Sequence, residues 1–444
     1  MNLPRALVEP ISKIDNFFFA PYSPYPLALF RILLGLLMLD TVIEHLTDDI
    51  FLYYGPNAVV PLNSMACRWW QFNPVFDLIA LFPYTNATYV VFFGCFIFAC
   101  LLVVLGVFTR FTVPIAYLML LSLHKECPFN LNGGDSMMLL SMLILCFGRS
   151  GDALSFDSLM KSLKKDWRVV GFVPPVQPIW VVRMLQMQLT LAYLDTFLWK
   201  ASGTKWLDGT AVYYATRMQD FMRFPLPFFM DNLIFLSLLT WGTLIIEAWM
   251  FSLIWFRKTR YTVLALALMM HFGIDLFINL PVFEWVFMSM FILFVYPDDL
   301  SKVASWIRQK VTIKFGPASV LAFDGKCILC VRGVGFLHRL DLFRRIELID
   351  FTDHNNHDRL IEFDFARAQT EMLFSTKNGW IGGFRAFREV VKRLPLLWIV
   401  LPLMYFPGMT NIGDALYKKV AANRYLLFGR CDDGYCEIHK GGAA

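Results

Sequence analysis

The feature that most constrains this chain is the run of long, weakly charged apolar stretches filling residues 27–298. Eight of them read as membrane spans, at 27–45, 88–107, 110–123, 136–148, 178–199, 232–256, 261–279 and 281–297. A crossing takes about 20 apolar residues, so 110–123 and 136–148 are short for it. The chain is 57% hydrophobic and only 17% charged, a balance that water does not solvate, so the class is integral membrane protein with the lipid bilayer as partner. The net charge of +5 is spread out, and no basic run with interleaved aromatics points to nucleic acid. Residues 1–26 lack a charged-then-apolar leader pattern.

Loop charges set an expected orientation. Lys161, Lys164, Lys165 and Arg168 share one loop, and Arg257, Lys258 and Arg260 another, whereas the alternate loops carry Asp48, Asp49 and Glu126. With eight spans, the positive-inside rule puts both termini in the cytoplasm and the chain in the cell (inner) membrane. Lys302, Arg308, Lys310 and Lys314 then form a basic juxtamembrane linker, 299–316, suited to an anionic leaflet.

Beyond it, 317–444 alternates strand and helix periods: strand 319–323, helix 328–340, strands 346–351 and 370–376, a turn at Asn378-Gly379, and helix 382–393. Leu394 to Tyr405 is apolar but too short to span. The fold class is thus an α-helical multi-pass bundle of about eight spans followed by an α/β domain.

Between the first strand and its helix lies Asp324-Gly325-Lys326-Cys327-Ile328-Leu329-Cys330. A helix start offers unpaired N–H groups and partial positive charge, which favour the first cysteine as a thiolate. One turn on, Cys330 is placed to resolve a mixed disulfide. Two other readings stand beside redox chemistry: an inert pair, and half of a zinc site completed by Cys431, Cys436 or His439. No metal is assigned. The other cysteines, Cys67, Cys95, Cys100, Cys127 and Cys146, form no local pair.

DGKCILC, then Asp341, Gly382-Gly383-Phe384-Arg385-Ala386-Phe387 and Asn423-Arg424-Tyr425, together resemble the DCC thiol-disulfide oxidoreductase family over 317–436. The resemblance implies a thioredoxin-like fold, Asp324 as a supporting residue, and a protein thiol or disulfide as partner. Cys327 is then the attacking thiolate and Cys330 the resolving thiol.

Charges inside spans are costly, so each is a candidate for function. They are Arg31, Asp40 and Glu44, Arg183 and Asp195, Glu247, His271 and Asp275, and Glu284. The plainer reading is internal ion pairs that fix helix packing. His271 and Asp275 are four apart, so Asp275 is placed to orient the imidazole. Lys200 closes an apolar helix; it either snorkels to the interface or, poorly solvated, acts as a general base.

Region 20–298, with Leu29-Phe30-Arg31-Ile32-Leu33-Leu34-Gly35, Asn130-Leu131-Asn132-Gly133-Gly134-Asp135, Lys200 to Tyr214, Glu247 and His271, resembles the HTTM family. That family is related to vitamin K-dependent carboxylases. The resemblance implies that Lys200 deprotonates a menaquinol or vitamin K-type hydroquinone, with Asp135, Glu247 and His271 shaping the pocket. The expected function is a membrane-bound thiol-disulfide oxidoreductase whose membrane domain acts on a quinol or similar lipid. The alternative is a peptide-maturation or transport module without quinone chemistry.

Overall fold

The computed structural model describes residues 5–47, 50–59, 77–127, 130–165 and 174–429. Cys67, Asp48, Asp49, Arg168, Cys431, Cys436 and His439 lie outside them, and with them the residues that would complete a zinc site. The chain divides into two units, one of residues 1–158 and 174–297, the other of 159–173 and 298–444.

The first unit is a helix bundle. Its helices are α1 (Arg5–Phe19), α2 (Tyr25–Thr47), α3 (Asn86–Leu105), α4 (Thr109–Glu126), α5 (Gly133–Cys146), α6 (Trp180–Ala201), α7 (Leu233–Phe251), α8 (Arg260–Phe277) and α9 (Phe283–Met290). Their ends follow from local chemistry. The Thr85 hydroxyl accepts the Thr88 N–H at the start of α3, and Gly106, at φ +67°, ends that helix. The Asn232 side chain accepts the Phe235 N–H at 3.1 Å to start α7. Phe30, Leu34, Met38, Tyr89, Phe93, Phe96, Leu120, Leu185 and Phe294 form the core.

Only 28% of the most apolar stretch of α7, and of α8, is buried. The outward faces are therefore apolar as well, the mark of helices whose solvent is lipid.

All eight stretches read as spans are largely helical, and the count of eight is not confirmed. Among the described residues, four helices, α2, α3, α7 and α8, are long and apolar enough to cross, or up to five if a bent pair in the second unit forms one span. Among the rest, α4 carries Arg110, Lys125 and Glu126 and contains Pro114. Helix α6 carries Arg183, Asp195 and Lys200. Helices α5 and α9 have 14 and 8 residues, short of a hydrocarbon layer of about 30 Å at 1.5 Å per residue.

Arg31 illustrates how this unit handles a charge. It is fully buried, and among the described residues no carboxylate forms a salt bridge with it; its guanidinium donates to the carbonyls of Ser150 at 2.7 Å and Leu154 at 2.6 Å. The ion-pair expectation fails here because the turn at 150–154 presents free carbonyls where the side chain ends.

The second unit opens with α10 (Pro297–Phe315), a continuous helix over the basic linker. Then follow β1 (Ser319–Phe323), α11 (Ile328–Leu340), β2 (Ile346–Asp350), β3 (Leu373–Thr376), β4 (Gly379–Gly382) and α12 (Gly383–Arg393). The sheet order is β2-β1-β3-β4, with β2 parallel to β1, β3 antiparallel to β1, and β4 antiparallel to β3. Strand β1 is buried on both faces: Leu321 joins Val334, Leu337, Phe374 and Val390 on one side, Ala322 joins Ile349, Phe351 and Leu373 on the other. Leu159 packs on the first of these clusters. Ser162 accepts from Arg339 through its carbonyl at 3.2 Å, which groups this stretch with the tail. Leu394–Tyr405, too short to span alone, lies largely in the helical stretch Pro395–Met404. With α13 (Met409–Ala422) this forms the bent pair, at 110°.

Replacing Arg31 by Met orphans the buried Ser150 carbonyl, at about 1–3 kcal/mol, and frees the part-buried Leu154 carbonyl. Thermal unfolding of the detergent-solubilised protein should show a lowered Tm; an unchanged Tm would contradict this role.

Candidate functional site

The thiol site is built on the step from β1 to α11. Asp324 ends the strand, and its Oδ1 accepts the Lys326 N–H at 2.9 Å, which tightens the turn. The Gly325 N–H donates to Asp350 Oδ1 at 3.0 Å. A Cβ at Gly325 would lie 1.8 Å from Asp350 Oδ2, so any side chain there would displace the Asp350 carboxylate from the turn. Cys327 is the N-cap of α11, and its Sγ accepts the Cys330 N–H at 3.4 Å. Both cysteines are free thiols.

Behind them sits a buried polar knot. Arg424 donates to Asp324 Oδ2 at 3.1 Å and to the Gln369 carbonyl at 2.7 Å, and the Tyr425 hydroxyl also donates to Asp324 Oδ2. These partners come from the short segment Asn423-Arg424-Tyr425, about 100 residues from Asp324 in sequence. That segment was recognisable as a motif, but nothing in the sequence assigned it to Asp324.

The electrostatics separate the two thiols. A hydrogen bond from the Cys330 thiol, the Cys330 N–H and the Arg424 charge bring Cys327 down to about 6, against burial and Asp324. The same thiol–thiolate hydrogen bond, with burial, pushes Cys330 well up. Access runs the other way. Cys327 is 0% exposed. Cys330 is half-buried and lines a cavity of about 400 Å³ whose walls include Leu329, Leu337, Phe384, Phe387, Leu416 and Val420.

In the membrane unit, Lys200 pairs with Glu247 and lies 4.9 Å from the centre of the Trp206 ring. Gly209, at φ +80°, turns the following loop; a Cβ there would lie 2.9 Å from Ser237 Oγ. His271 bonds Tyr193 Oη through Nε2 at 2.5 Å and Glu284 through Nδ1. The pairing of His271 with Asp275 is corrected: Asp275 faces Arg223 at 3.3 Å, and Glu284, fully buried at the start of α9, takes the imidazole. A shared helix face made Asp275 available, but the neighbouring helix presents the closer carboxylate. His271 thus bridges Tyr193 and Glu284 through its two ring nitrogens, a chain suited to moving a proton. Tyr193 is in electrostatic range of Glu247 as well as Glu284, which links the two pairs.

Asp135 has a different setting. Asn132 and Asp135 form a reciprocal capping box at the start of α5, and Asp135 lies 4.0 Å from His124. His124, with Lys125 and Asn132, lines a second cavity, of about 660 Å³. The contacts of Asp135 are thus with this cluster. His124 and Tyr193 carried no sequence signal beyond their type.

The sequence pattern of the HTTM domain matches residues 19–298, and that of the DCC1-like thiol-disulfide oxidoreductase matches 321–430. Sporulation-delaying protein SdpB of Bacillus subtilis (strain 168) is 24% identical over 304 residues, covering 64% of this chain and 86% of SdpB. Uncharacterized protein YitO of the same organism is 26% identical over 133 residues, covering 28% of this chain and 42% of YitO. No solved structure matches.

Ultraviolet thiolate absorbance should show one cysteine titrating near pH 6 in the reduced protein. Because a lowered thiol favours the folded, reduced form, this stabilisation should be full above the ordinary value of 9.0, decline as the pH falls below it, and be lost below about 6. Arg424→Met should move the titration upward. A single titration at the ordinary thiol value of 9.0 in the wild type would contradict the assignment.

Proposed function

The chain belongs to the HTTM domain family and carries a DCC1-like thiol-disulfide oxidoreductase domain, and from that premise we propose that it is a multi-pass membrane enzyme exchanging electrons with protein thiols and disulfides. The observation that carries this is the paired thiol at the start of α11, one cysteine low in pKa and its partner high. A thiolate beside a protonated neighbour is the ground state needed for disulfide exchange. The β-α-β and β-β-α halves around one sheet support the thioredoxin-like reading. The tail lies on the cytoplasmic side of the cell membrane in this proposal, since an even number of crossings returns the chain to the side of its N-terminus.

For the membrane unit, the reading favoured by the Lys200–Glu247 pair is proton handling on a lipidic hydroquinone. Because Lys200 is paired with Glu247, the pair would accept the hydroxyl proton together, with Trp206 beside it as an apolar wall and His271, Tyr193 and Glu284 as the onward relay. Peptide maturation or transport has its own support in the second cavity, lined by His124 and Lys125 rather than by Lys200. The name of SdpB, a sporulation-delaying protein, states no chemistry for this chain.

Purified protein should catalyse reduction of a peptide disulfide by dithiothreitol, and either Cys327→Ser or Cys330→Ser should lower turnover by at least about 100-fold; retention of activity in both would refute the assignment. Mass spectrometry of reduced menaquinone incubated with wild type and with Lys200→Ala tests the membrane site. Oxidised product from the wild type alone supports it, and no enzyme-dependent product favours the transport reading.

A further inference from the structure

The bent pair in the tail is as apolar as a membrane span, yet it is built so that it does not cross. Its limbs are Pro395–Met404, made of helical turns of 6 and 4 residues, and α13, of 14 residues. At roughly 1.5–2 Å per residue each limb reaches about 20 Å, short of a hydrocarbon layer of about 30 Å. The two meet at 110° rather than end to end. Both are also held on the sheet domain. Gly413 packs so closely on Phe384 of α12 that a Cβ there would lie 2.6 Å from the ring. The Tyr417 hydroxyl accepts the Met372 N–H at 2.7 Å, Arg388 donates to the Thr410 hydroxyl at 3.2 Å, and the Trp398 indole donates to the Lys392 carbonyl at 3.0 Å. A pair pinned in this way does not thread a bilayer.

What the pair presents outward is apolar. Ile399 is 89% exposed, and Leu403, Phe406, Ile412 and Leu416 are well exposed too, while Met404 and Gly413 carry the buried side. Ile399 and Leu403 are four residues apart, as are Ile412 and Leu416, so each limb shows an apolar stripe. An exposed apolar surface of this kind marks an interaction site. Its border says with what. Across residues 383–422 six side chains are basic, Lys392, Lys418 and Lys419 among them, against two acidic ones, Glu389 and Asp414. Arg388 and Lys392 stand 4.6 and 5.2 Å from the centre of the Tyr405 ring, and Trp398 beside them is half-exposed. Amphipathic aromatics beside long cationic side chains are the residues of a membrane–water interface. A bilayer is also always at hand, because α10 alone separates the membrane unit from β1.

We propose that this face docks on the bilayer: the bent pair lies in the plane of the membrane, with its apolar stripes at the acyl boundary and its basic border on anionic phospholipid headgroups. Leu416 belongs both to this face and to the wall of the cavity that Cys330 lines, so docking brings that cavity to the membrane surface. On the thiol-disulfide reading above, the partners within its reach are thiols and disulfides held at that surface.

The test uses the full-length protein in lipid nanodiscs, with a photoreactive benzophenone amino acid in place of Ile399 or, separately, of Phe406. Both side chains are exposed, so the variants should keep the wild-type Tm. After illumination, mass spectrometry should find one phospholipid attached at either position, and none when the probe replaces Ile361, which is 77% exposed elsewhere in the domain. The yield should be roughly 5-fold or more higher in phosphatidylglycerol than in phosphatidylcholine. Lys418→Glu with Lys419→Glu should remove that excess. Attachment to the membrane unit or to a second copy instead of lipid would overturn the inference. So would no attachment, equal labelling from Ile361, or equal yields in the two lipids. Lipid attachment needs no turnover, so its failure leaves the exchange function standing. Loss of disulfide exchange with lipid attachment intact would instead refute the thiol-disulfide reading alone.

Discussion

The organisation of the membrane unit follows from one constraint: its polar groups have no water to turn to and must find partners within the protein. Arg31 is satisfied by the carbonyls of Ser150 and Leu154, Lys200 by Glu247, and His271 by Tyr193 and Glu284. Each satisfied group ties together segments distant in sequence, so the same contacts that make burial tolerable also fix the packing. Around Tyr193 such contacts bring ionisable side chains together, with His271 bonded to both Tyr193 and Glu284.

The second unit uses burial differently. Its sheet gives β1 two covered faces and brings the chain out at Asp324, directly before the helix that carries the cysteines. The Asp324–Arg424–Tyr425 knot sits under that step. It holds a positive charge near the thiols while neutralising most of its own, so Arg424 favours the Cys327 thiolate and Asp324 opposes it. The balance leaves Cys327 acidic and Cys330 protonated, an asymmetry within one helical turn.

Much of this was legible in the chain. The tail's strands and helices follow from period and turn chemistry: 319–323 and 328–340 coincide with β1 and α11, and the Asn378-Gly379 turn joins β3 to β4. The cysteine pair was legible because its spacing carries the chemistry. What escaped depends on partners brought together by packing. Asp275 is four residues from His271, and only the placement of Glu284 decides against it. The count of eight crossings is not confirmed, because apolar composition marks short helices such as α5 and α9 as readily as helices long enough to span. Nor does spacing say which cysteine is covered; the full burial of Cys327 and the half-burial of Cys330 arise from the fold around α11.

The central claim is that the fold holds Cys327 as a thiolate beside a protonated Cys330. The pH dependence of the reduction potential of this pair tests it most directly. While both thiols are protonated, two protons accompany two electrons; once one is a thiolate, a single proton does, and the slope against pH halves. The account predicts that the break falls near pH 6. A constant slope up to the ordinary thiol value of 9.0 would show that neither thiol is acidified and would contradict it.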